Sequence, residues 1–457
     1  MGFPPGFPSS STDAQYDEPA ITIRQFSAGR SHVLALSDSG RIWSWYHAKN
    51  PGLHVKFANV DLKDMTLAAN PLNTSSAYGK VRQVVAGWSR SSAYVHGYGI
   101  VVWDPVERDH DEEKLDTMLV LENAEVPRTG YQRVKGTRAQ SDEEKALGEE
   151  VGVVLNYIIL EHFVVFVTDL GKVFCGRFEE KHRVGNILEL RALSNDTGEG
   201  VDVQGSFRRF AIFKNNEVIT SDQGYLEACW NSQRNPEENF GEGLKRIPAL
   251  QNSGVISVAF GDYHYLALHS NGTITSYGTE LQACGALGLG SEQDDEGKAR
   301  GIVYERFNHD GRLLPHAYTH GRQVWFDNNK KEWINHLMKG GKDPEEAQER
   351  LDLFRNAHNV QGEVSEWIEQ EGRALDKTSK GDDELGAHFA LRVSAAGWHS
   401  GALVLVNDEL ADQASSRSFD DQAFPRLRLA DGTEMPGTKD FDEWRDGRPE
   451  WNLNISA

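Results

Sequence analysis

The sequence predicts an all-β fold: a β-propeller of about seven four-stranded blades, with a helical insertion. Three observations lead there. A glycine-led segment recurs along the chain, each copy divides into short apolar runs separated by a turn, and most copies start about 45 to 75 residues apart, the span of a four-stranded blade with loop insertions. A single unit of this kind cannot bury its own apolar face and must stack on its neighbours.

The clearest copy is Ser27-Ala28-Gly29-Arg30-Ser31-His32-Val33-Leu34-Ala35-Leu36, with the turn Asp38-Ser39-Gly40 and the run Ile42-Trp43-Ser44-Trp45. It predicts a hairpin of two short strands, preceded by a strand at Ile21-Thr22-Ile23. A second copy runs from Val81 through Ala86-Gly87-Trp88-Ser89-Arg90 to Trp103, with Arg90 in the histidine position. The third, from Ile158 to Gly176, has lost the first glycine, places His162 one position early and turns at Thr168-Asp169-Leu170-Gly171. In the fourth, Val203-Gln204-Gly205-Ser206-Phe207-Arg208, an arginine again replaces histidine. The fifth, Ala259-Phe260-Gly261-Asp262-Tyr263-His264-Tyr265-Leu266-Ala267-Leu268 with Asn271-Gly272, is the best echo of the first. The sixth, Val393 to Val406, carries Gly397-Trp398-His399, its histidine one place early.

Residues 1–19 read as a flexible leader rich in Pro, Gly and Ser, and 20–300 hold the blades. Residues 301–390 read as an inter-blade insertion with helices, on the apolar stripes at 330–338, 351–357 and 364–368 and the start signal Pro344-Glu345-Glu346. Residues 391–457 read as the last blade and a C-terminal tail, in which Arg426-Leu427-Arg428-Leu429 alternates like a strand.

The recurring residues have mechanical tasks. The glycines (Gly29, Gly87, Gly205, Gly261 and Gly397 before the histidine position; Gly40, Gly171 and Gly272 in the turns) allow close backbone approach or a left-handed dihedral. His32, His264 and His399 are read as structural, bonding backbone across the blade. A histidine repeated in several units serves each unit rather than one active site, and its replacement by Arg90 and Arg208 argues against a metal ligand. Gly285-Ala286-Leu287-Gly288-Leu289-Gly290 lacks the Lys-Ser/Thr of a phosphate loop and the glycine order of a dinucleotide site. No catalytic set, metal site or cofactor is expected.

The chain has 457 residues, a formal charge of −21 and 39% hydrophobic residues, enough for a large core. The charge disfavours nucleic acid and anionic membrane surfaces as partners, because phosphate contact needs a basic face. No apolar run is long enough to cross a bilayer. Cys175, Cys229 and Cys284, odd in number and far apart, form neither a disulfide framework nor a zinc cluster, and fit a reducing compartment, cytoplasmic or nuclear.

A propeller displays its binding surface on loops, so function is sought where the repeat is interrupted. Arg312, His316, Tyr318, Arg322 and Trp325, together with Trp88, Arg90 and Trp398, are the candidate partner-binding residues, since arginine and aromatics anchor protein interfaces.

The segments Gly29–His32 to Trp45 and Gly261–His264 to Gly290 resemble the repeats of the regulator of chromosome condensation family. Gly311-Arg312-Leu313-Leu314-Pro315 and Pro425-Arg426-Leu427-Arg428-Leu429 add a closer resemblance to fungal SCF-associated F-box proteins. The first resemblance implies a ring of seven blades. The second implies a protein-interaction module that recognises ubiquitination substrates and meets the SCF adaptor and cullin through an N-terminal F-box, for which residues 1–20 are too short. Alternatives are an exchange factor or regulator of a small GTPase, and a non-catalytic scaffold. Fold alone decides among none of them.

Overall fold

The computed structural model describes residues 22–46, 51–63, 77–106, 118–133, 140–179, 183–195, 200–232, 243–246, 250, 254–262, 264–272, 274–278, 286 and 388–409. It also describes, as backbone, 302–304, 313–315, 322–324, 361–363 and 427–428. The expected leader and the helical stretches of the insertion lie outside these residues, as do Arg312, His316, Tyr318 and Trp325. Two compact units are present: residues 1–215 with 219–245, and residues 216–218 with 246–457.

In the first unit the chain lays down antiparallel meanders in order, each a propeller-type blade. Strands β1 (Ile23–Ala28), β2 (Val33–Ser37), β3 (Ile42–Trp45) and β4 (Leu53–Phe57) pair successively. The second sheet is β5 (Val81–Ala86), β6 (Ser91–Val95) and β7 (Gly99–Trp103). Beyond β7 the chain steps back: β8 (Met118–Leu121) joins β4 in parallel as a fifth strand of the first sheet, and β9 (Ala124–Glu125) then returns to β7. Helix α1 (Asp142–Glu150) follows, its first turn closed by a reciprocal capping box between Ser141 and Glu144.

The third sheet is β10 (Val154–Ile159), β11 (Phe163–Thr168), β12 (Val173–Arg177) and β13 (Leu188–Glu189). The fourth is β14 (Asp202–Ser206), β15 (Arg209–Lys214) and β16 (Glu217–Asp222). Helix α2 (Gln223–Ser232) follows it directly and buries Tyr225, Leu226 and Cys229. Those three fall on one helical stripe, which explains a helix where the repeat would add a fourth strand.

In the second unit β17 (Val255–Phe260), β18 (His264–His269) and β19 (Ile274–Gly278) form one meander. Within the expected insertion the described backbone is extended: β20 (Ile302–Tyr304) pairs with β21 (Leu313–Pro315), and β22 (Arg322–Val324) with β23 (Gln361–Glu363). The hairpin of β24 (His388–Ala396) and β25 (His399–Val406) carries the sixth copy. Strand β26 (Leu427–Arg428), from the tail segment that alternates in sequence, pairs in parallel with β22.

The first unit has no single core but a series of apolar layers between successive sheets, which is why its middle strands read as unbroken apolar runs. On β11, Phe163, Val165 and Val167 face the fourth sheet with Phe210, Ile212 and α2. The intervening Val164 and Phe166, with Tyr157 of β10 beside them, face Tyr94 and Ile100 of the second sheet. The aromatics at the repeat ends fill these layers: Trp103 packs edge-on against Phe57, and Phe174 stacks on Phe166. The hairpin turns hold Gly40, Gly171 and Gly272 at φ of +92°, +74° and +80°. In the fourth copy Asn215 and Asn216 take the left-handed positions, which asparagine tolerates best among side-chain-bearing residues.

Candidate functional site

The repeat residues converge where the first and second strands of each sheet meet the next sheet. In the first copy the Gly29 amide donates to the His32 carbonyl at 2.9 Å, which closes a tight turn. The His32 ring, 3% exposed, lies against Gly29 and pairs its Nε2 with Ser91 Oγ of the second sheet at 2.8 Å. A side chain at Gly29 would collide with the Gly87 carbonyl oxygen and the His32 ring. Burial pulls the His32 pKa down to about 4, so the ring is neutral. The Arg30 amide completes the link by donating to the Gly87 carbonyl at 3.4 Å.

The second junction replaces the imidazole. Arg90 reaches the third sheet, where its guanidinium donates to the Glu161 carbonyl at 2.8 Å and lies over the Phe178 ring at 4.4 Å. In the third copy Leu160 takes the glycine place, its amide donating to the Phe163 carbonyl at 2.8 Å. Buried Phe163 therefore occupies the histidine position, while His162 is half-exposed beside Glu161. In the fourth copy Gly205 packs closely on Ile158, and Arg208 pairs with Glu161 at 2.6 Å.

The second unit repeats the first arrangement. Gly261 donates to the His264 carbonyl at 2.8 Å, and His264 Nε2 meets Ser400 Oγ at 2.8 Å. The Asp262 amide donates to the Gly397 carbonyl at 2.9 Å. Gly397 itself is left-handed at φ +54°. His399 and Trp398 are exposed, so His399 differs in setting from the buried His32 and His264. Arg322 lies in β22.

Sequence reading missed a row of amide side chains four residues before the glycine position. Gln25 both donates to and accepts from the Val84 backbone, at 3.0 and 3.1 Å. Gln83 donates to Asn156 Oδ1 at 2.9 Å, and Asn156 donates to Asp202 Oδ1 at 2.6 Å and to the Val203 carbonyl at 3.0 Å. Each inner strand thus grips the next. The offset is constant, but these are ordinary polar residues on strands, and the third copy has Leu160 in place of the glycine that would mark it.

On the turns of the first unit these junctions also build an arginine–aromatic face. The Arg30 guanidinium lies over the Trp88 ring at 4.2 Å, and Trp88 stacks on Phe207 at 3.9 Å and 26°. Phe207 is held at φ +57°, a left-handed conformation costing about 1–3 kcal/mol for such a residue. Its carbonyl accepts from the Glu161 amide at 2.7 Å, and the Arg208 guanidinium lies over its ring at 5.0 Å. Beside Trp88 opens a pocket of about 490 Å³ lined by Arg30, Ser31, Tyr46, Ser89, Asp104 and Pro105.

Among the described residues no group of His, Cys, Asp and Glu is placed to hold a metal ion, and no helix is long and apolar enough to cross a membrane. Cys175 and Cys229 share the layer under α2, where burial pushes both thiols above their usual range, away from nucleophilic use.

Residues 23–45 and 255–285 match the regulator of chromosome condensation (RCC1) repeat. These are the two copies in which glycine and buried histidine occur together. Over 281 residues the chain is 28% identical to the F-box protein pof9 of Schizosaccharomyces pombe, covering 60% of this chain and 48% of that protein. Over 269 residues it is 24% identical to SCF-associated factor 1 of Saccharomyces cerevisiae, covering 58% and 34%. The chain thus spans about half the length of the first relative and a third of the second. Among solved structures, Prp20p from Saccharomyces cerevisiae aligns over 86% of this chain and 85% of its own, at 14% identity and a TM-score of 0.35, too loose a likeness to argue from.

Proposed function

We propose that this protein is a substrate-recognition propeller of an SCF-type ubiquitin ligase receptor, acting in the cytoplasm or nucleus. The observation that carries the interaction part is the division of labour at the blade junctions. Glycine, histidine and amide side chains are spent holding sheet to sheet, whereas Arg30 and Trp88 stand at an open pocket on the turns. Exposed arginine and half-buried aromatics held by rigid strands are what a protein-binding surface requires. The ligase part is supported by the names of the two fungal relatives, one an F-box protein and the other an SCF-associated factor.

The test is affinity purification of the tagged product of the intact gene, followed by mass spectrometry. Recovery of the SCF adaptor and a cullin is expected, with further proteins stabilised when the proteasome is blocked. Purification of a stable complex without adaptor or cullin would overturn the ligase assignment and leave the interaction module.

A further inference from the structure

We propose that the Arg30–Trp88 face of the first unit docks an acidic segment of a partner protein, with a partner carboxylate paired to Arg30 and apolar atoms laid on Trp88. The inference rests on the reading of this chain as a protein-interaction module, and specifies the chemistry of what it binds.

Four observations converge. First, the Arg30 side chain is not needed by the fold. The junction uses its backbone amide, and the equivalent place in the second unit is Asp262, whose amide makes the same bond. Second, among the described residues the Arg30 guanidinium has the Trp88 ring as its contact and neither an ion pair nor a side-chain hydrogen bond. A guanidinium over an aromatic face keeps N–H donors that no other described residue takes up, and these match a carboxylate in a fork.

Third, the neighbouring charges are already engaged. Glu161 pairs with Arg208, and Asp104 and Glu161 lie in the field of Arg90. Arg30 therefore has no ion-pair partner among the described residues, on a protein of net charge −21, although the Asp104 carboxylate lines the same pocket. Fourth, Trp88 is half-buried and stacked on Phe207, so its ring is already packed in place, which lowers the entropic cost of binding. Asp104 in the pocket lining selects among anions: one carboxylate at Arg30 is tolerated, whereas a dianionic phosphate would meet its repulsion.

The experiment uses the purified full chain and fluorescein-labelled peptides: one alternating glutamate with leucine, its lysine–leucine counterpart, its glutamine–leucine counterpart, and a phosphoserine–leucine version. Fluorescence anisotropy should show binding of the glutamate peptide that weakens with added salt, and little binding of the lysine and glutamine peptides. Arg30→Ala should weaken the glutamate peptide about tenfold or more, as expected for a lost charge-assisted pair, with Arg30→Lys intermediate. Trp88→Leu should weaken it too, and a melting curve of Arg30→Ala that overlays wild type shows the loss is local. Equal binding of the glutamate and glutamine peptides, an unchanged affinity in Arg30→Ala, or preference for the phosphoserine peptide would each overturn the proposal. Peptide binding is read without adaptor or cullin, so its failure is separable from failure of the ligase assignment.

Discussion

The junction at Gly29–His32 in the first unit and the one at Gly261–His264 in the second are built from the same parts, yet they differ in two places. Both close a glycine-to-histidine turn at 2.8–2.9 Å, and both set histidine Nε2 2.8 Å from a serine hydroxyl on the following sheet. In the second, however, Ser400 Oγ donates onward to the Ala286 carbonyl at 2.5 Å. Its oxygen must then accept from His264, which places the imidazole proton on Nε2. In the first, His32 Nδ1 is buried without a partner. The second difference is the residue after the glycine, Arg30 in one unit and Asp262 in the other. The shared parts hold sheets together, and in the first unit the unshared Arg30 side chain lies over Trp88 at the open face.

The harshest way to break this equivalence is Gly29→Ala. The new methyl meets a backbone carbonyl that cannot move aside, and a loss of about 2–3 kcal/mol, at the upper end for overpacking, is expected in urea unfolding of the full chain. Gly261→Ala should cost somewhat less, because the backbone oxygen its methyl would meet, that of Gly397, is 2.9 Å away rather than 2.4 Å, although the His264 ring also stands close. Equal losses would show that ring and carbonyl are equally fixed.

Comparable at its acid limit, and absent at neutral pH, is the contribution of the histidine itself. His32 has a folded pKa of about 4, below its unfolded value of 6.5, so the unfolded chain binds the extra proton between these values. Stability is therefore full above pH 6.5 and falls as the pH drops toward 4, by up to about 3 kcal/mol. Thermal melts of wild type and His32→Asn across that window should show a shallower acid slope in the variant, and identical slopes would remove His32 as the cause. Smaller again is Gln25→Ala, which forfeits two bonds to Val84 and should cost about 1–2 kcal/mol in the same urea assay. Smallest is Arg30→Ala, expected within about 0.5 kcal/mol of wild type. A loss well beyond that would mean Arg30 belongs to the junction after all.

The glycine–histidine copies were legible because each combines residues of unusual conformation or chemistry at a fixed spacing, and the all-β blades followed from them. The amide row was not legible. Gln25, Gln83 and Asn156 are ordinary polar residues on half-exposed strands, and only their reach onto the next sheet distinguishes them. Trp88 and Arg90 were both singled out by sequence as binding residues, yet the structure separates them. Arg90 spends its guanidinium on the Glu161 carbonyl and Phe178, while Trp88 supports the open face. Arg30, which completes that face, carried no signal beyond being a charged residue in a turn. The partnership of Trp88 with Phe207 joins positions 119 residues apart and depends on the stacking of sheets, which no local pattern records.

The return of β8 to the first sheet has a consequence for how the chain is made. Strand β4 ends at Phe57, but its outer edge is covered only when Met118–Leu121 arrives, after the whole of the second meander has been synthesised. On a ribosome adding about 5–20 residues per second, that edge stands open for several seconds, offering unpaired backbone to any passing strand. The nascent first sheet is thus exposed to mispairing during this interval. A truncation ending before residue 118 should aggregate more than one ending after Glu125, which covers the β4 edge but still leaves the second sheet's apolar face open.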